Sequence, residues 1–231
     1  MIASSLENKQ ILVTGASRGI GYQLCLDLAN LGAKVIAVAR SVDGLAKLQS
    51  TGGDKIQTRA LDLADRSVID DFCASIDKLD GLVHNAATFT PALIKDMDAT
   101  LFEKHLTVNA TIPFLLTQKL WPALSAATES SVVMVASLAA VANVDKFPTA
   151  AAYTASKMAL VGLAEVVAAE GKEYGIRCNS VSPGSVDTEM LRNAYPDMQA
   201  DFTTSDISNQ ICFLLSKSSA PVTGTNVVVK R

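Results

Sequence analysis

Two residues with complementary acid–base chemistry stand four positions apart, Tyr153 and Lys157, in Tyr153-Thr154-Ala155-Ser156-Lys157. On a helix, positions i and i+4 share a face, so the two side chains would lie together. A tyrosine hydroxyl ordinarily titrates near ~10, too high for efficient proton exchange at neutral pH. A neighbouring ammonium favours the phenolate and lowers that value. Tyr153 could then hand a proton to a carbonyl oxygen or take one from an alcohol. The same spacing also occurs on ordinary helix surfaces, so its surroundings must supply the specificity.

Thr14-Gly15-Ala16-Ser17-Arg18-Gly19-Ile20-Gly21 is the second chemical motif. It follows an apolar run read as a strand and opens a helical pattern. Glycines there permit a tight turn and close approach of backbone to ligand. The amides and positive dipole end of the helix suit a pyrophosphate. Gly15, Ser17, Arg18, Gly19, Ile20 and Gly21 are therefore expected to hold a dinucleotide. The second strand ends Val38-Ala39-Arg40-Ser41, without an acidic residue. An NAD site places a carboxylate there for the ribose hydroxyls, whereas an NADP site places a cation for the 2′-phosphate. Arg18 and Arg40 together point to NADP(H) rather than NAD(H).

The elements that must position these motifs alternate along the chain. Strands are read at Ile11–Val13, Val35–Ala39, Lys55–Ala60, Gly81–His84, Ser131–Ala136, Ile176–Val181 and Asn226–Val229, with helices between. Most strands are apolar at successive positions, as when helices cover both faces of a parallel sheet. The expected fold is a single-domain α/β, Rossmann-type doubly wound parallel sheet of about seven strands. The 231 residues suffice for one such domain, and 49% are hydrophobic, which excludes disorder. A net charge of -3, without a basic block, speaks against a nucleic-acid partner. Cys25, Cys73, Cys178 and Cys212 are too dispersed for a metal site or disulfide framework, and suit buried thiols in a reducing cytoplasm. Met1 to Lys9 holds no apolar signal-peptide core, and no apolar run is read as long enough to span a bilayer. A helix over about Ala150 to Tyr174 is apolar nearly all round, so a second subunit is expected on its outer side, in a homodimer or homotetramer.

The T-G-x-x-x-G-x-G spacing, with Tyr153 and Lys157, resembles the short-chain dehydrogenase/reductase family over almost the whole chain. That resemblance implies a strand order of 3-2-1-4-5-6-7. Arg18 falls where NADP-using members often carry a base. It also implies that Asp62 bonds the adenine amino group, that Leu63 adds a backbone contact, and that Asn85 and Ala86 correspond to an N-A-G element whose glycine is here Ala87. Ser137 would bond the substrate oxygen, and Asn109 would hold a water linking the lysine to solvent. With Tyr153 and Lys157 these form the family's tetrad, Lys157 also holding the nicotinamide ribose. Pro183, Gly184, Val186 and Thr188 match its P-G-x-x-x-T element beside the nicotinamide.

These matches imply a hydride-transferring oxidoreductase acting on a carbonyl or alcohol. The alternative is a silent NADP-binding sensor or scaffold, which would usually have lost the tyrosine or lysine. Isomerases and dehydratases of this fold generally carry a larger C-terminal region. Two departures touch the substrate side: an insertion around Asn143 to Thr149, and a short lid over about 188–206. Met190, Leu191, Tyr195 and Met198 are candidates to line it. Ketones, aldehydes, sugars, steroids and β-keto thioesters all remain open as substrates. His84 and His105 receive no role.

Overall fold

The computed structural model describes residues 6–231. The expectation about a signal peptide therefore lies largely outside the described residues. Its seven strands are β1 (Gln10–Thr14), β2 (Lys34–Ala39), β3 (Ile56–Ala60), β4 (Gly81–His84), β5 (Ser130–Val135), β6 (Ile176–Pro183) and β7 (Asn226–Val229). They form one sheet in the order β3-β2-β1-β4-β5-β6-β7, and every pairing is parallel. The helices are α1 (Gly19–Asn30), α2 (Val42–Gly52), α3 (Arg66–Ala74), α4 (Ala99–Leu106), α5 (Ile112–Ser125), α6 (Ala151–Gly171), α7 (Glu189–Ala194) and α8 (Thr204–Leu215).

Alternation along each strand sends neighbouring side chains to opposite faces. Ile11, Val13, Val133 and Val181 pack with Leu24 and Leu28 of α1 and Ile207 and Ile211 of α8. Leu12, Leu82, Val132 and Met134 pack on the other face with Leu116 and Leu120 of α5 and Leu160 and Ala164 of α6. Both faces are thus apolar, which explains the unbroken runs in the sequence. β3 departs from that pattern because it is an edge strand, and its Gln57, Thr58 and Arg59 are not buried.

Several boundaries shift from expectation. β1 gains a residue at each end, β2 begins at Lys34, β3 loses Lys55, β5 spans Ser130–Val135, and β6 extends through Pro183. The long helix ends at Gly171 and closes with a 3-10 turn over Lys172–Tyr174. Ala151–Tyr174 also corrects the membrane reading, since its mean hydropathy of 1.2 and length would permit a span. Here Leu160, Ala164 and Val167 bury one side of it against the sheet. Its opposite side leaves Met158 and Val166 exposed.

Glycines in this framework differ sharply in what they tolerate. A Cβ on Gly21 would stand 2.4 Å from the Gly15 carbonyl oxygen, whereas one on Gly162 would meet nothing within 4 Å. Gly21→Ala is expected to lower the urea midpoint markedly. Gly162→Ala should raise stability by about 0.5–1 kcal/mol by removing helix-interior glycine entropy. Denaturation of both variants beside the parent checks the pair.

Candidate active site

The glycine turn joins β1 to α1, where the strands' carboxyl ends open. Gly15 and Gly19 have φ of +69° and +58°. A Cβ on Gly15 would lie 2.8 Å from Ala86 Cα, so that glycine serves a close contact with the segment leaving β4. Thr14 Oγ1 accepts from the Asn85 and Ala86 amides at 3.0 and 3.1 Å. Asn85 Nδ2 in turn donates to the Thr14 and Gly15 carbonyls at 3.0 and 3.2 Å. The side chain of Asn85 is therefore turned into the loop.

Gly19 is different. A Cβ there would meet only the Thr188 side chain, at 3.4 Å or beyond, so the turn stays open on that side. Ser41, Asp65, Asp98 and Thr203 cap α2, α3, α4 and α8, but Arg18 makes no side-chain cap on α1. The first-turn amides of α1 thus keep their donors for a ligand, at the positive end of the helix. Both features fit a dinucleotide pyrophosphate. Ile20 packs on the core beside them.

A Cβ on Gly44 would lie 2.8 Å from Ser17 Cβ, so the turn touches the first turn of α2 just past Arg40. Arg40 is exposed. Arg18 Nη1 reaches Glu189 Oε1 at 2.9 Å, a partner that sequence reading had not supplied. Asp62 is exposed and accepts from the Ala64 amide at 3.0 Å, while Leu63 is buried. At the far side Pro183 ends β6, and the Gly184 amide donates to the Val229 carbonyl at 2.9 Å. Val186 is buried and bridges to Phe202, closing the base of the segment over 188–206. Thr188 caps α7 by accepting from the Leu191 amide at 3.2 Å.

Tyr153, Lys157 and Ser137 come together on the α6 side. Lys157 Nζ lies 5.7 Å from the Tyr153 ring centroid and donates to the Val135 carbonyl at 2.6 Å. Ser137 caps a 3-10 turn, accepting from the Ala139 amide at 3.2 Å, and its hydroxyl also acts on Tyr153. In the chain without a dinucleotide the proton balance differs from the sequence reading. Burial pushes the Tyr153 hydroxyl up to about 12, against a smaller downward pull from Ser137. Burial also pushes Lys157 down to about 7. In the chain by itself, low polarity acts on both charged forms more strongly than the lysine acts on the tyrosine.

Asn109 lies fully buried in a π-helical turn, Thr107–Thr111, between α4 and α5. Its Oδ1 accepts from the Thr88 amide at 2.8 Å, and its Nδ2 donates to the Thr88 carbonyl and Ser156 Oγ, each at 3.0 Å. Ser156 Oγ donates to the Tyr153 carbonyl at 2.8 Å. His105 Nε2 accepts from the Thr90 amide at 3.1 Å, and its Nδ1 pairs with the Leu101 carbonyl. His84 pairs with Thr117 at 2.8 Å and is held neutral down to about 3, by burial first and then by Lys157. The sequence motifs passed over both histidines and Ser156, although His84 directly precedes Asn85. Among the described residues no group of three or more His, Cys, Asp or Glu side chains could hold a metal.

The short chain dehydrogenase family profile matches residues 9–199. The chain belongs to the short-chain dehydrogenase family. Dehydrogenase/reductase SDR family member 6 of Rattus norvegicus is 32% identical, over 97% of this chain and 96% of its own length. The 2,3-dihydro-2,3-dihydroxybenzoate dehydrogenase of Bacillus subtilis is 30% identical, over 99% and 97%. A short chain dehydrogenase from Escherichia coli CFT073, solved in complex with NADPH, superposes with a TM-score of 0.89 at 29% identity, covering 98% and 99%. Oxidoreductase family membership and the seven-stranded parallel fold agree with the sequence reading.

Buried Lys157 carries a pH signature. Folded, it loses its proton near 7, and unfolded near its ordinary 10.5. Between those values the unfolded chain holds the extra proton, so stability rises with pH through this window. Relative to Lys157→Met, the parent chain should gain stability from pH ~7 towards ~10, as read by urea midpoints. A flat difference would contradict burial as the cause.

Proposed function

We propose that this short-chain dehydrogenase interconverts a carbonyl and an alcohol with NADP(H), using Tyr153 as general acid and base. The arrangement of Tyr153 carries this reading: its ring lies 5.7 Å from the buried Lys157 Nζ, and Ser137 acts on its hydroxyl. A hydroxyl held near 12 is protonated at neutral pH and suits donation to a carbonyl oxygen. Ser137 would orient that oxygen. Lys157, near 7, can gain or lose a proton at working pH and restore the one Tyr153 gives up. Asn109 has both amide hydrogens committed to scaffold, so a relay water would have to donate to one of its oxygens.

Bound NADP(H) supplies or accepts the hydride. Gly15, Ser17, Gly19, Ile20 and Gly21 would cradle its pyrophosphate, and Asp62, Leu63, Asn85 and Ala86 would border the adenosine half. Pro183, Gly184, Val186 and Thr188 would border the nicotinamide half. Arg40, with no carboxylate at the end of β2, favours the 2′-phosphate. Arg18 can join it, since an exposed ion pair such as that with Glu189 is worth only about 0–1 kcal/mol. The NADPH in the Escherichia coli neighbour supports the same choice. The exposed outer side of α6, with Met158 and Val166, is the surface we assign to self-association. Four free, buried cysteines accord with a reducing cytoplasmic setting.

A carbonyl panel assayed with NADPH and NADH tests the reading. Tyr153→Phe should lose roughly 10²- to 10⁴-fold in kcat. Arg40→Asp should shift preference towards NADH. Unchanged turnover in Tyr153→Phe sinks the mechanism, and faster turnover of the parent chain with NADH sinks the cofactor assignment.

A further inference from the structure

Four aromatic rings run outward from the reacting hydroxyl. Phe89 lies 4.7 Å from the Tyr153 ring, centroid to centroid, and 5.7 Å from Tyr195. Tyr195 lies 5.7 Å from Phe147. The rings come from separate segments: Phe89 follows β4, Phe147 sits in the insertion before α6, and Tyr195 follows α7. Their tilts of 45°, 46° and 37° at contact separations join them into one continuous aromatic surface with inclined faces. Phe147 is 56% exposed, a large apolar surface left uncovered beside the lid.

The insertion is held there by an uncommon backbone. Thr149 has φ of +74°, a region that β-branched residues rarely occupy. Its carbonyl accepts from the Ala92 amide at 3.0 Å, and its hydroxyl pairs with the Tyr195 hydroxyl at 3.3 Å. Strain retained beside this row of rings points to a shape that matters there. Charge narrows the choice. Lys146, next to Phe147, donates to the Val141 carbonyl, and Arg192 is paired with Asp187. Neighbouring Asp145 and Asp197 are exposed and acidic.

We propose that Phe89, Phe147 and Tyr195 form one wall of a slot for a flat, uncharged ring, so that the substrate is a cyclic or aryl ketone and its secondary alcohol. This rests on the reading of Tyr153 as acid and base. In reduction the ketone carbon takes a hydride from the reduced dinucleotide and its oxygen takes the Tyr153 proton. The products are the alcohol and the oxidised dinucleotide, and a solvent proton passed on by Lys157 restores the tyrosine.

The test pairs turnover with binding. Cyclohexanone and acetophenone are compared with straight-chain methyl ketones of equal carbon count and with para-acetylbenzoate, using NADPH. Saturation-transfer NMR of acetophenone follows binding without turnover. The neutral ring ketones should lead in kcat/KM, and Phe147→Ala and Tyr195→Ala should each cut the ring-over-chain ratio by roughly 2- to 12-fold, the loss of one aromatic pair. Equal turnover of ring and chain ketones, or a preference for para-acetylbenzoate, overturns the slot and leaves the oxidoreductase reading standing. Acetophenone binding that disappears in Phe147→Ala, with no ketone consuming NADPH or NADH, supports the slot and removes the oxidoreductase reading. Neither binding nor turnover overturns both.

Discussion

The side chain of Asn109 ties three parts of the candidate site together from a position closed to water. It holds both backbone groups of Thr88 and reaches Ser156 on α6. An unmade bond at such a buried amide costs about 1–3 kcal/mol, so the three parts are fixed together or not at all. Through Thr88 it sets the path of the chain towards Phe89, and through Ser156 it meets the turn of helix carrying Tyr153. The π-helical turn places that amide without ending the α4–α5 rod, a local irregularity often found at functional sites. His105 repeats the device one step along, holding Thr90. The segment leaving β4 is therefore pinned at Asn85, Thr88 and Thr90, and the site's walls inherit that rigidity.

Burial then sets the chemistry inside those walls. Lys157 is taken out of water and Tyr153 is half-buried, so each resists its charged form: the tyrosine stays protonated while the lysine is poised to gain or lose its proton near neutrality. The Val135 carbonyl fixes the amine, so α6 and β5 set its place jointly. A site prepared in this way is biased towards giving a proton until a cationic group arrives nearby.

The fold was legible in the sequence where local physics and burial agreed. Runs such as Val132 to Val135 are apolar on both faces because helices cover both, and that much a linear pattern carries. Pro183 was harder to place inside β6, because proline there depends on which neighbour needs its amide. Within the site, spacing announced Tyr153 and Lys157 but not the direction of their proton balance, which depends on depth. Arg18 was legible as a cation, whereas Glu189 lies 171 positions away and no local rule joins them. Likewise Gly15 and Gly21 were read for ligand approach, and the structure adds that they clear space for the Asn85 amide. Phe147 and Thr149 were visible only as an insertion, since ring-to-ring geometry has no signature along a chain.

The placement of the cysteines bears on chemical durability. Cys25 and Cys212 sit in one hydrophobic layer, and Cys73 and Cys178 in the other. Burial raises all four thiols, Cys73 to about 11 and Cys212 to about 12. The thiolate is the form that peroxide and alkylating agents attack, so the native fold withholds both access and reactivity. Sulfur damage in this protein would follow the rate at which either layer opens, and would mark which of the two had opened.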